Sequence, residues 1–231
     1  MILDQLSKPA IFAHRGSSAH APENTLAAFE LAIRHGADAI ELDAKLSADG
    51  HVVVIHDQTV DRTTDGTGKV RELTLAQLSE LDAGSYFDIA FRREPIPTLE
   101  QVFQAVGYGI LINVELTNYA SPTDPLPEKV AGLVRKFGLE KRVLFSSFNP
   151  LALVRIRRIL PEVPVGLLAL PGLDGAWARS WSVSASRIGR CQAFFGETRA
   201  AKWTENFRLY REPGRGDAAF IQLECRWDFY R

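Results

Sequence analysis

The apolar positions of this chain fall into two alternating kinds of run. Short continuous runs at residues 10–13 (AIFA), 39–44 (AIELDA), 52–55 (VVVI), 110–115 (ILINVE), 143–145 (VLF) and 163–168 (VPVGLL) predict buried strands. Between them, apolar residues recur at helical spacing. Leu26, Phe29 and Ile33 predict a helix with Asn24 as N-cap and Gly36 at its end. Thr74-x-x-Gln77 and Thr98-x-x-Gln101 are capping boxes, the first opening a short helix and the second a helix ending near Gly107. Residues 126–137 predict a helix stopped by Gly138, and Asn149-Pro150 caps another running to about Leu160. Six strands thus alternate with five helices through residue 170, the pattern of a parallel sheet with crossover helices. No GxGxxG follows any strand, which argues against a dinucleotide-binding fold. The expectation is α/β, a (β/α)8 barrel, with strands seven and eight in the remaining tail.

The strand ends carry the chemistry. The first ends in His14-Arg15, the second carries Glu41 and Asp43, the third ends in His56-Asp57 and the fourth in Glu115. In a barrel these positions share the C-terminal rim, where such folds place their active sites. Glu41 and Asp43 are two apart on a strand and point to one side, while Leu42 points into the core. Three carboxylates packed beside apolar runs repel one another, and a bound divalent cation removes that cost. All-oxygen ligands favour a hard ion, Mg²⁺ or Ca²⁺. The imidazoles of His14 and His56 remain free for proton transfer, and Arg15 offers a planar fork for an anionic oxygen such as phosphate.

Composition narrows the class. The chain has 231 residues, 46% apolar and 24% charged, with a net charge of −1. Those values exclude a disordered chain or a collagen, and give no global basic field for nucleic acid. The two cysteines, Cys191 and Cys225, are too few for a disulfide scaffold and read as free thiols of a reducing compartment. The N-terminal MILDQLSKPA lacks the basic and apolar regions of a signal peptide. No run approaches about 18 consecutive apolar residues, so no membrane insertion is expected. The expectation is a cytoplasmic protein acting on a small molecule. Charge is uneven: residues 171–231 carry ten Lys/Arg (nine of them arginine) and seven Asp/Glu, a net of +3, against −4 for the preceding body.

Five segments, IFAHRGSSAHAPENTLAAF, AIELDAKLSADGHVVVIHD, DRTTDGTG, PIPTLEQVF and INVELTN, occur in the order found in glycerophosphodiester phosphodiesterases, which this chain resembles over residues 10–170. The resemblance implies a single barrel domain over 1–231, with residues 57–97 as a small insertion after the third strand. It implies metal ligation by Glu41, Asp43 and Glu115, acid–base roles for His14 and His56, and phosphate contact by Arg15. The family's reaction releases glycerol 3-phosphate and an alcohol, and the implied route passes through a cyclic phosphate. At Thr117 many members instead carry a lysine that can meet phosphate.

The remaining polar residues read as structural. Asn24 caps its helix, Glu23 orients a neighbour, and Asp57, within reach of either the metal or His56, reads as structural. His20 lies in a polar loop, His35 in a helix's last turn, and His51 after a turn, exposed. Residues 61–68 resemble a calcium loop but lack EF-hand spacing and read as a turn. The segment 171–231 departs from the family pattern, so the last two β/α units are expected to be irregular or incomplete. FFGETRAAKWTENFRLY and AAFIQLECRWDFY are candidate remnants of them. Two other readings compete: a relict that binds metal or phosphate without turnover, and a related phospholipase-D-like phosphodiesterase.

Overall fold

The computed structural model describes residues 10–169, together with strands at 191–195, 207–211 and 219–223. In chain order the elements are β1 (Ala10–His14), α1 (Leu26–Arg34), β2 (Ala39–Leu46), β3 (Val52–Val54), α2 (Leu75–Ser79), α3 (Leu99–Val106), β4 (Leu111–Leu116), α4 (Leu126–Phe137), β5 (Val143–Ser147), α5 (Pro150–Ile159), β6 (Val165–Ala169), β7 (Cys191–Phe195), β8 (Phe207–Arg211) and β9 (Ala219–Leu223). All six strands and five helices expected before residue 170 are present. Both threonine capping boxes form, Asn149 caps α5 by accepting from the Leu151 amide, and Gly138 ends α4 in the left-handed conformation.

The sheet order is β7-β6-β5-β4-β2-β1-β9-β8. From β1 to β7 every neighbouring pair on this path is parallel, as a barrel of βα units requires. β9 lies antiparallel on β1, and β8 antiparallel on β9. Parts of both candidate remnant segments therefore form strands; the rest of 171–231 lies outside the described residues.

One expectation is corrected. The third predicted strand does not join the parallel wall. β3 folds back antiparallel on the end of β2, pairing Val54 with Ala44 and Val52 with Leu46, and β4 takes the place beside β2. The five-residue connection explains this. Only a hairpin can join adjacent strands over so few residues, since a parallel crossover needs a dozen or more. Gly50, at φ 78°, and the Ser47 hydroxyl, accepting from the His51 amide at 2.9 Å, close the turn.

Strand alternation then divides the side chains. Ile40, Leu42 and Ala44 of β2 and Ile112, Val114 and Leu116 of β4 face the helices. There they meet Phe29 of α1, Leu99, Val102 and Phe103 of α3, Val130 and Val134 of α4, and Leu153 and Ile156 of α5. Each such side chain stabilises the fold by roughly 1.5–3 kcal/mol on full burial. The odd-numbered residues of β2 and β4 are left to the opposite, interior face. Residues 57–97 gather a smaller core of their own, in which Val60, Val70, Leu78, Ala83 and Ile96 pack on Val53 and Ile55. Asp61 and Thr64 make turn hydrogen bonds to Gly68, Gly66 and Val60, in line with the turn reading of 61–68.

The loop from β1 to α1 holds unusual backbone. Arg15, Gly16 and Asn24 have φ of 57°, 81° and 59°. At Gly16 a Cβ would come within 2.7 Å of the Ala28 carbonyl carbon. Gly16→Ala is expected to destabilise the protein by about 2 kcal/mol or more, lowering Tm by about 4–8 °C at this chain length. Thermal and denaturant unfolding check this.

Candidate active site

Parallel register brings the strand ends together. His14 of β1 pairs with Glu41 of β2, and Asp43 of β2 with Glu115 of β4. Because these residues share the interior face, their carboxylates converge: one oxygen from each of Glu41, Asp43 and Glu115 lies within 4.8 Å of the others. Glu41 and Asp43 are only 2% and 1% exposed.

Each carboxylate has specific support. The Arg15 amide donates to Glu41 Oε2 at 3.0 Å, a contact that the left-handed turn at Arg15 makes available. Asn24 Nδ2 donates to Asp43 Oδ2 at 2.9 Å, and the Asp43 amide donates back to Asn24 Oδ1 at 3.3 Å. The Tyr119 hydroxyl donates to Glu115, and its ring packs edge-on against Phe148. Glu41 Oε1, fully buried, has no partner. Burial, reinforced by the charges of Asp43 and Glu115, pushes the Glu41 carboxyl well above its usual range. Burial and Asp43 likewise push Glu115 up to about 7. An orphaned carboxylate oxygen in an all-oxygen, mutually repelling donor set fits a hard divalent cation.

The two histidines flank this cluster in different states. His14 Nε2 is 3.8 Å from Glu41 Oε2. Burial, then the charge of Arg15, pushes His14 down to about 4, so its imidazole is neutral near pH 7. His56 arrives from the hairpin: the Ile55 amide donates to the Asp43 carbonyl at 3.0 Å, which lays the end of β3 beside the middle of β2. His56 Nδ1 is 2.6 Å from Asp57 Oδ1. Asp57 is held in turn by Arg62 Nε at 2.6 Å, a hydrogen bond that draws its carboxyl down to about 2. Arg62 also forks onto Glu23 at 2.7 and 2.9 Å, and Glu23 accepts from Arg15 at 3.0 Å. Arg15 Nε, 3.5 Å from Asp43 Oδ2, is buried without a hydrogen-bond partner.

All six expected site residues therefore lie in one constellation. Two details differ from expectation, and for Asp57 the structure selects one of its two alternatives. Thr25, not Asn24, caps α1, accepting from the Ala28 amide at 3.3 Å; Asn24 instead turns into the site to hold Asp43. Asp57 grips His56 directly. Lys45, not singled out in the sequence, is buried on the same face as Glu41 and Asp43 and donates to Thr117 Oγ1 at 2.6 Å. The spacing 41, 43, 45 on one strand was the signal that could have found it. His20 packs edge-on against His35, whose Nδ1 is 3.0 Å from the Ser17 hydroxyl, and His51 is exposed.

A family model, the glycerophosphoryl diester phosphodiesterase family, matches residues 14–203. The chain belongs to this family of phosphodiesterases. It is 44% identical over 171 residues to a glycerophosphodiester phosphodiesterase of Caldanaerobacter subterraneus subsp. tengcongensis, covering 74% of this chain and 70% of that one. A glycerophosphodiester phosphodiesterase of Bacillus altitudinis is 39% identical over 162 residues, covering 69% and 66%. The match spans about two thirds of the length of these curated relatives. The solved structure of an Oleispira antarctica phosphodiesterase in complex with the product sn-glycerol-3-phosphate aligns with a TM-score of 0.72 at 30% identity, covering 86% of this chain and 87% of that one. The family's solved members give the fold as TIM-barrel-like. Among the described residues no helix is long and apolar enough to cross a membrane.

The carboxylate cluster sets a pH dependence. Glu41 and Glu115 keep protons in the metal-free fold at pH values where the unfolded chain has released them. The folded state thus binds more protons between the ordinary carboxyl value of 4.5 and about 7, so stability falls as pH rises through that window. In EDTA, Tm is expected to fall from about pH 5 to about pH 8, and Glu115→Gln to flatten that slope. At the upper pH, Mg²⁺ or Ca²⁺ is expected to raise the wild-type Tm by binding the folded state alone. Melting curves across pH, with and without metal, check both.

Proposed function

We propose that this chain hydrolyses glycerophosphodiesters to glycerol 3-phosphate and an alcohol. The observation that carries the reading is the in-register carboxylate triad flanked by two histidines held in contrasting environments. Family membership and the product complex of the Oleispira antarctica relative support the same substrate class.

Glu41, Asp43 and Glu115 would hold the divalent cation, Mg²⁺ or Ca²⁺, which when bound offsets negative charge on the phosphoryl oxygens. Arg15, beside the triad, contributes a guanidinium to a phosphate oxygen. His14, neutral, accepts the proton of the substrate's 2-hydroxyl. The freed oxygen attacks phosphorus, the bond from phosphorus to the alcohol oxygen breaks, and a cyclic phosphate forms. His56 donates a proton to the departing alcohol. Its Nδ1 faces Asp57, which fixes the orientation of the ring. Water then opens the ring: His56, now neutral, takes its proton, and His14 returns its own to the 2-oxygen.

This reading takes residues 1–231 as one domain of the (β/α)8 type, with 57–97 as an insertion carried on the β2–β3 hairpin and with the last units irregular. It assigns the chain to the cytoplasm and to a small-molecule substrate. The test is release of glycerol 3-phosphate from glycerophosphocholine and glycerophosphoethanolamine with Mg²⁺, with Ca²⁺ and with EDTA. Turnover is expected only with metal. His14→Ala and His56→Ala are each expected to lower kcat by about 10²–10⁴-fold, and Glu41→Ala to abolish the metal response. Soluble, cooperatively melting protein without turnover on either substrate would overturn the reading in favour of a binding-only relict.

A further inference from the structure

Beyond the triad, the same strand faces continue into a cleft of about 230 Å³. Lys45 and Thr117, two residues past Asp43 and Glu115, line it together with Ser47, Gln58, Arg71 and Asn118. Two features of Lys45 are unusual. It is only 6% exposed, although lysine is almost never buried unless paired. Its ammonium has three donors, yet among the described residues its one hydrogen bond goes to a neutral group, the Thr117 hydroxyl, which itself donates to the Ala44 carbonyl at 2.8 Å. Among the described residues no carboxylate lies within ion-pair distance of it. The cleft's one acid, Asp124, is already engaged by Asn118, Ser121 and the Leu126 amide at 2.7–3.1 Å. The free charge facing the cleft is therefore positive.

A buried ammonium with unused donors is costly unless an anion completes its shell. Resting on the functional reading above, we propose that Lys45 is a substrate-binding residue whose ammonium contacts a phosphoryl oxygen of the glycerophosphodiester. Thr117 aims the ammonium and leaves two N–H groups for the anion. The cleft beyond is then where the departing alcohol's head group lies.

The comparison is Lys45→Met, which keeps length and apolar packing but removes the charge, with the double variant Lys45→Met/Thr117→Lys, which returns an ammonium from the neighbouring strand. The readout is calorimetric binding of sn-glycerol 3-phosphate and of inorganic phosphate, with Mg²⁺ and with Ca²⁺, beside kcat and KM on glycerophosphodiesters. Lys45→Met is expected to weaken anion binding and kcat/KM at least about tenfold, as removal of one charged hydrogen bond does, with an undiminished Tm. The double variant is expected to recover most of that loss. Binding by Lys45→Met within about twofold of wild type, less than any such bond contributes, would overturn the proposal. A loss the double variant does not recover would also overturn it, assigning Lys45 to the fold. Lys45→Gln gives the same comparison where Lys45→Met is insoluble. Phosphate binding is read without turnover, so a chain that hydrolyses no glycerophosphodiester sinks the functional reading while this comparison still decides the role of Lys45.

Discussion

Three carboxylates buried side by side on two adjacent strands are the constraint to which the rest of the site answers. Parallel pairing of Asp43 with Glu115 leaves them no room to separate, and Glu41 sits on the same face one pleat earlier. The surrounding groups supply donors one at a time: an amide from Arg15, a carboxamide from Asn24, a hydroxyl from Tyr119. Two of these depend on backbone that L-residues adopt reluctantly, since Arg15 and Asn24 both take positive φ. Strain in the first loop is thus tied to the charge cluster, and Gly16 between them permits the loop to lie on α1.

The placement of His56 depends on a second device, the fold-back of β3. A parallel third strand would have carried His56 to the rim beside its own neighbours. The hairpin instead returns the chain antiparallel, so that Ile55 bonds to Asp43 and His56 follows directly. From there an alternating run of charges, Asp57, Arg62, Glu23 and Arg15, leads back to the first loop. The two histidines therefore sit in different surroundings, His14 partly buried beside Glu41 and neutral, His56 half exposed with a carboxylate at its back.

Much of this was legible in the sequence. Strands and helices through β6 followed from apolar period and threonine caps, because both signals are local. The three clustered carboxylates were legible because strand-end acids stand out against apolar runs. What was not legible was non-local. A continuous apolar run marks 52–55 as a strand but says nothing of its direction, which the short turn decides. Asn24 and Thr25 are both good N-cap types, and only the position of Asp43 selects Thr25 for the cap. Lys45 was not singled out, because its setting beside Thr117 comes from the non-local pairing of Ala44 with Leu116.

The fold-back has another consequence. The segment 57–97 leaves and returns at nearly the same point, since Val53 bridges Thr98 and the Val54 amide bonds to the Pro97 carbonyl. Its ends are fixed together by β3, and its interior is packed on its own small core. Closing a loop whose ends already meet costs little more as the loop grows. This segment is accordingly free to lengthen, shorten or be exchanged without shifting a strand of the sheet, provided Asp57 and Arg62 near its start are kept. The architecture separates the carboxylate and histidine cluster from a replaceable rim, so a new recognition surface can be grafted there without rebuilding the site beneath it.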